Sequence, residues 1–227
     1  MTKLPRDMLP QLYAGLMREV KVRLDAVNEH AEAGKIAAGS TSGFLHCEFC
    51  YLQLRRTIEV IGLAVLLAHN EIDDFRSKNF MKEWNAETLF KMLEKLSDDA
   101  FPEPAESKSI DETAGTADLL IGNKAKENRE TLKKIYTDCS NQMHAGSLRN
   151  FLKSGGKRYN VQQIQNWRSF IIRLLNMHVI LLPDRRNIMI VIMASLPDGD
   201  VHCRLEALGA VLPIGTPWKP QPKSEIS

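Results

Sequence analysis

The sequence lacks the features that disulfide-stabilised or membrane-embedded folds need. Four cysteines in 227 residues are too few for a disulfide scaffold. No stretch of about eighteen residues is uncharged and apolar, and the start, MTKLPRDMLPQLY, lacks the apolar core of a signal peptide. A glycine-rich phosphate loop, the HExxH zinc motif and the GxSxG nucleophile motif are also missing. We therefore expect a cytoplasmic protein with reduced thiols and without membrane contact, cofactor or bound metal.

Charge is distributed unevenly along the chain, although its net value is only +2. Between Glu71 and Glu130 there are fifteen acidic and nine basic residues, whereas between His144 and Arg186 there are eight basic residues and one acidic residue. A basic segment of this kind can bind nucleic acid, or it can attract the acidic segment of its own chain. Both interpretations stay open from composition alone.

The spacing of apolar residues predicts a mainly α-helical fold. Residues 5–33 and 40–70 carry apolar side chains at steps of three and four. Further helices are predicted over residues 126–145 and 160–182, and one helix or two short ones over residues 79–96. The seam of the second helix comprises Phe44, Cys47, Tyr51, Leu54, Ile58, Ile61, Val65 and Ala68. A seam of this length is typical of a central helix with several neighbours. We therefore expect an antiparallel bundle of four to five helices.

The remaining segments predict loops and a small β-hairpin. Residues 97–124 are rich in acids and predict a flexible surface loop, and residues 146–159 predict a basic loop. NIMIVIMA and VHCRLEAL, separated by PDGD, are typical of paired strands. The expected division is a helical bundle over residues 1–186 and a hairpin with an extended tail over residues 187–227, packed on the bundle. Because two strands alone are marginally stable, the hairpin and the apolar excess of the helices also predict a homodimer.

The sequence HCEFC contains a pair of cysteines with zinc-ligand spacing. Cys47 and Cys50 have the C-x-x-C separation, but a tetrahedral site needs two more ligands. Cys139 and Cys203 each stand alone, and Cys47 lies on the apolar seam. We therefore favour burial of both thiols in the core over metal binding.

The sequence LRRTIE places charges in the middle of the predicted central helix. Arg55 and Glu59 are four residues apart and can pair along the helix surface, with Arg56 beside them. On an outer face this would be an ordinary solvated ion pair. In a groove or in the interior, a guanidinium requires a partner, and the same residues become candidates for function.

The sequence YTDCSNQMH carries the most suggestive polar residues. Tyr136, Ser140 and His144 recur every four residues and therefore share one helix face. A histidine at a helix C-terminus is favoured in its protonated form and could exchange a proton during phosphodiester cleavage. Alternatively, His144 only caps the helix. Candidate anion-binding residues in the basic loop that follows are Arg149, Lys157 and Arg158.

Three other residues can be explained without catalysis. His69 stands at the predicted end of the central helix, where histidine is common. His178 lies in the seam of the predicted helix over residues 160–182, so we expect a hydrogen-bonded core histidine. Trp167 is interpreted as a core aromatic, with stacking on a base as the alternative.

Two of these segments together resemble the HEPN superfamily. They are LQLRRTIEVIGLAVLLAHNE and the later helix that ends in YTDCSNQMHAG, and the resemblance covers about residues 43–146. It implies an antiparallel helical bundle, often dimeric, whose members include metal-independent ribonucleases and proteins that bind nucleotides or other proteins. The catalytic signature of the family is an arginine followed, four to six residues later, by histidine. Here His144 matches the histidine, but no arginine stands in that window and the nearest upstream one is Arg129.

The resemblance implies three alternative functions. The first is a nucleotide-, RNA- or protein-binding module without an intact catalytic motif. The second is a metal-independent endoribonuclease of a toxin–antitoxin or antiphage system, with His144, Tyr136 and Arg55 as catalytic residues. The third is a purely structural interaction protein. The candidate binding residues are Arg56, Glu59, Ser140, Arg149, Lys157 and Arg158.

Overall fold

The computed structural model describes residues 5–69, 101–111, 116–143, 159–193, 200–207 and 217–218. This part of the chain is mainly helical, as predicted, and it also contains an antiparallel sheet. The helices are α1 (Leu9–Ile36), α2 (Thr41–Ala68), α3 (Ala125–Met143) and α4 (Val161–Leu175), with a short 3-10 turn, Arg6–Met8, before α1. The strands are β1 (Glu103–Asp111), β2 (Thr116–Ile121), β3 (Met177–Leu181), β4 (Asn187–Ile192), β5 (His202–Ala207) and β6 (Pro217–Trp218).

Helices α1 and α2 form an antiparallel pair joined by a tight turn. The Ser40 hydroxyl accepts a hydrogen bond from the backbone N–H of Gly43 at 3.1 Å, which caps the N-terminus of α2. A Cβ atom at Gly43 would lie 2.3 Å from the carbonyl oxygen of Ala37. Glycine is therefore required at this position, where the first turn of α2 packs against the connection from α1.

The prediction of one unbroken central helix is confirmed by α2. Its seam is buried from Cys47 to Ala68, and α1, α3 and α4 all pack against it. Phe44 is the exception, because it lies beside the α1–α2 turn and is 38% exposed. Its ring instead contacts the ring of Tyr159 edge-on, with 4.4 Å between centroids.

None of the four described helices has an apolar stretch sufficient to cross a bilayer.

The sheet is larger than the predicted hairpin. Its strands are ordered β5-β4-β3-β1-β2-β6, and all neighbouring pairs are antiparallel. The predicted β4–β5 hairpin is present, with Met189 opposite Leu205. This hairpin does not stand alone, because β4 also pairs with β3. The sheet therefore contains strands from both of the predicted parts of the chain, residues 1–186 and residues 187–227.

Two sequence predictions are corrected by this sheet. Strands β1 and β2 pair within the segment that was predicted to be a surface loop over residues 97–124. The predicted helix over residues 160–182 ends at Leu175, and Met177–Leu181 forms β3. The β-branched residues of MHVIL pair with β4, so tertiary pairing outweighs the helical periodicity of this segment. The predicted helix at residues 79–96 lies outside the described residues.

His178 is a hydrogen-bonded core histidine, as predicted, although it lies on β3 rather than on a helix. Its Nδ1 is 2.8 Å from the carbonyl oxygen of Leu175, so this nitrogen donates, and Nε2 accepts from the Tyr13 hydroxyl at 2.9 Å. Burial lowers the pKa of His178 to about 4, while the bond to Leu175 opposes this change. The ring is therefore neutral in the folded protein at neutral pH.

The free energy of unfolding should consequently fall on acidification. Between about pH 6.5 and the folded pKa of His178 near 4, the unfolded chain binds more protons than the folded chain, so stability is lost as pH falls. The expected loss is about 3 kcal/mol, and burial of His69 lowers its pKa and acts in the same direction. Urea unfolding at a series of pH values measures this loss. His178→Gln should flatten the curve, and an unchanged curve for that variant would contradict the assignment.

Candidate functional site

The functional candidates on α2 and α3 meet in one polar cluster, which we call the arginine cluster: Arg55, Arg56, Glu59 and Tyr136. The Nε of Arg55 donates to one carboxylate oxygen of Glu59 at 3.2 Å, and Nη1 of Arg56 donates to the other at 2.9 Å. Nη2 of Arg55 donates to the Tyr136 hydroxyl at 3.2 Å. One carboxylate thus holds two guanidinium groups, and α3 supplies a third polar group.

The side chains of the arginine cluster range from buried to exposed. The Glu59 side chain is 7% exposed, that of Arg55 26% and that of Arg56 55%. The Arg55 guanidinium also lies 5.1 Å from the centroid of the Tyr136 ring, within cation–π range. Two guanidinium groups and one carboxylate leave one excess positive charge, and the most exposed member is a cation. This arrangement suits an anion that approaches from solvent.

The neighbours of Tyr136 on α3, Ser140 and Cys139, are poorly suited to catalysis or ligand binding. The Ser140 hydroxyl donates to the backbone carbonyl of Tyr136 at 2.8 Å, so it is engaged within its own helix. Burial raises the pKa of the Cys139 thiol well above its ordinary value, and the adjacent Asp138 raises it further, while Arg55 acts in the opposite direction. Cys139 is therefore a neutral core thiol rather than a nucleophile.

The structure brings together four of the predicted site residues. Arg55, Arg56, Glu59 and Tyr136 converge. Ser140 lies one turn farther along α3, where its hydroxyl bonds to the backbone of Tyr136. The other four candidates lie outside the described residues, namely His144, Arg149, Lys157 and Arg158.

The two cysteines of HCEFC are core residues, as predicted. Cys47 and Cys50 are both buried, and Sγ of Cys50 donates to the carbonyl oxygen of Val27 at 3.5 Å. Burial raises the pKa of Cys50 to about 12. Within the described ranges, no group of three or more His, Cys, Asp or Glu side chains could hold a metal ion.

Sequence reasoning missed a histidine pair across the α1–α2 hairpin. Nδ1 of His30 lies 2.9 Å from Nδ1 of His46, and the His30 ring stacks on Phe49 with 4.1 Å between centroids. His30 lies six residues before the end of α1, and His46 lies five residues after the start of α2. The register of an antiparallel hairpin centred on that turn was therefore the signal that could have found this pair.

Comparison with known proteins leaves the resemblance to the HEPN superfamily as a prediction. No protein-family model, no curated protein and no solved structure matches this chain.

Proposed function

We propose that this protein is a HEPN-like RNA-binding module in which the arginine cluster holds a backbone phosphate. The observation that carries the proposal is the fixed pair of guanidinium groups on a single buried carboxylate. Arginine suits phosphate because its planar fork donates two parallel hydrogen bonds to phosphate oxygens. Glu59 reduces the entropy that the two long side chains would lose on binding, because it already restrains them.

The cluster retains hydrogen-bond donors for such a ligand. In its bond with Arg55 the Tyr136 hydroxyl oxygen is the acceptor, so its own hydrogen can be donated to an acceptor-only group such as a phosphate. Arg56 uses Nη1 to hold Glu59 and is the most exposed member of the cluster. Together these groups favour an anion over a neutral or cationic ligand.

A polymer of phosphates is favoured over a single phosphate by the charge of the chain itself. Eight basic residues and one acidic residue lie between His144 and Arg186, and this segment begins directly after α3, which carries Tyr136. RNA offers successive phosphates to successive cations, and each contact releases counterions. The proposal therefore combines one structured phosphate contact with a basic segment that follows it in sequence.

Binding of a fluorescent single-stranded RNA, followed by anisotropy, tests the proposal. Arg56→Ala removes the exposed guanidinium, and we expect it to weaken binding about tenfold, in the range of one lost charge-assisted hydrogen bond. The matched control is Lys134→Ala. Lys134 is an exposed cation on α3 whose Nζ donates to Asp138, so this variant removes one charge outside the cluster.

The comparison between these two variants decides the outcome. A loss confined to Arg56→Ala supports a specific phosphate contact. Equal losses for both variants would show that only net charge matters, and no RNA binding by the wild type would favour a purely structural protein.

Endoribonuclease activity is a second candidate because of the contact between Arg55 and Tyr136. The HEPN signature requires an arginine near its histidine, and Arg55 would supply that guanidinium from α2 instead of α3. In this function His144 would transfer the proton. Cleavage of mixed RNA in the presence of EDTA, lost in His144→Ala, would support the enzyme. Binding without cleavage would support the module alone.

A further inference from the structure

A second site lies away from the arginine cluster, in a half-open cavity between α1 and α4 where β4 ends. Its volume is about 220 Å³. The apolar lining consists of Leu24, Ile172, Leu175 and Met193, and the polar lining consists of Lys21, Asp25, Arg168 and Asn176. Small-molecule sites combine apolar side chains with polar groups that orient the ligand.

Arg168 is held in place by the backbone of α1. Its Nε donates to the carbonyl oxygen of Leu24 at 2.8 Å, and its side chain is only 20% exposed. The same two helices are joined one turn away, where Gln165 donates to Asn28 and Glu32 at 3.5 and 3.4 Å. The guanidinium is therefore oriented before any ligand arrives, which lowers the entropy cost of binding.

The terminal nitrogens of Arg168 make a weak contact with a carboxylate of α1. Nη2 lies 3.9 Å from Oδ1 of Asp25, a distance longer than a hydrogen bond, and the Asp25 side chain is 72% exposed. Among the described residues, Nη1 of Arg168 has no hydrogen-bond partner. The weak contact with Asp25 shows that this end of the guanidinium accepts a carboxylate as neighbour, and an exposed side chain can move aside at little cost.

We propose that this cavity binds a small organic carboxylate, with its carboxylate on the terminal nitrogens of Arg168 and its hydrocarbon part on Leu24, Leu175 and Met193. Arg168 supplies the cation that a carboxylate requires, and the exposed Asp25 side chain does not block it. The volume is below the roughly 300–1,000 Å³ typical of pockets for drug-sized ligands, so the ligand must be small. The site is independent of the proposed RNA binding.

Titration of the isotopically labelled protein with hexanoate, followed by NMR, tests this proposal. We expect a dissociation constant on the order of 1 mM or tighter, with the largest shifts at Leu24, Leu175 and Met193. Acetate, which lacks the hydrocarbon chain, and hexylammonium, which reverses the charge, should bind at least tenfold more weakly. Equal binding of hexylammonium, shifts located elsewhere, or no binding of hexanoate would overturn the proposal.

Three variants assign the contacts. Arg168→Gln should weaken hexanoate binding about tenfold, whereas Arg173→Gln, an exposed charge on the same helix, should leave it unchanged. Asp25→Asn removes the competing carboxylate and should tighten binding severalfold. Asp25 is exposed, so this variant should fold even if Arg168→Gln does not. Weaker binding by Asp25→Asn would contradict the assigned role of Arg168.

Discussion

Leu54→Ala is expected to lower the free energy of unfolding by about 3 kcal/mol. Leu54 is fully buried on the seam of α2, near the middle of a helix that contacts α1, α3 and α4. Removing three carbon atoms there costs their transfer free energy and leaves a cavity that rigid neighbouring helices fill only in part. Urea or thermal unfolding of the purified variant measures the loss.

Leu52→Ala is the matched control for this prediction. Leu52 lies on the same helix but is 40% exposed. Apart from the small change in helix propensity, the same substitution should therefore lower the free energy of unfolding by well under 1 kcal/mol. The difference between the two variants isolates burial from helix propensity. Equal losses for Leu52→Ala and Leu54→Ala would contradict the assignment of the α2 seam to the core.

Glu59→Ala is expected to cost a similar amount, again about 3 kcal/mol, for an electrostatic reason. Its carboxylate is 7% exposed and is the shared acceptor for Arg55 and Arg56. Without it, the half-buried Arg55 guanidinium retains, within the described part of the chain, its contact with Tyr136. Removing one partner of a buried ion pair is costly because the other charge stays desolvated and unpaired.

The chain contains a matched exposed pair for comparison. Glu19 accepts from Arg23 with the same separation of four residues on α1, and its side chain is 44% exposed. Glu19→Ala should therefore cost no more than about 1 kcal/mol. If both substitutions cost the same small amount, Glu59 is a surface residue in solution, and the arginine cluster is not organised as described.

Local sequence was sufficient to predict α1, α2, α3 and the β4–β5 hairpin, because each has its own period and boundary residues. The apolar seam of α2 and the hydroxyl of Ser40 are examples, since both act within one helix. The strands β1 and β2 could not be predicted in this way. Their segment is polar, and its structure depends on pairing with each other and with β3, which is distant in sequence.

The prediction of a helix over residues 160–182 was wrong beyond Leu175 for a related reason. Ile171, Leu174, His178 and Leu181 fit one helical face, and all but Leu181 are buried. The chain nevertheless becomes extended after Asn176, because β3 then completes pairs with both β1 and β4. Periodicity indicates which side chains are buried more reliably than it indicates which backbone conformation buries them.

The candidate site shows the same limit. The pair of Arg55 and Glu59 followed from their spacing of four residues on one helix. The contact between Arg55 and Tyr136 did not, because it depends on how α3 is placed along α2. Arg168 was not predicted as a site residue at all, since its partner is a backbone carbonyl of α1 and leaves no sequence signal.

The salt dependence of RNA binding tests the central claim most directly, because it counts phosphate contacts. For single strands, the logarithm of the affinity falls with the logarithm of salt concentration with a slope of about 0.7 per phosphate contact. If the arginine cluster holds a phosphate, Arg56→Ala should reduce the wild-type slope by about 0.7, and Lys134→Ala should leave it unchanged. Identical slopes for wild type and Arg56→Ala would show that the cluster holds no phosphate.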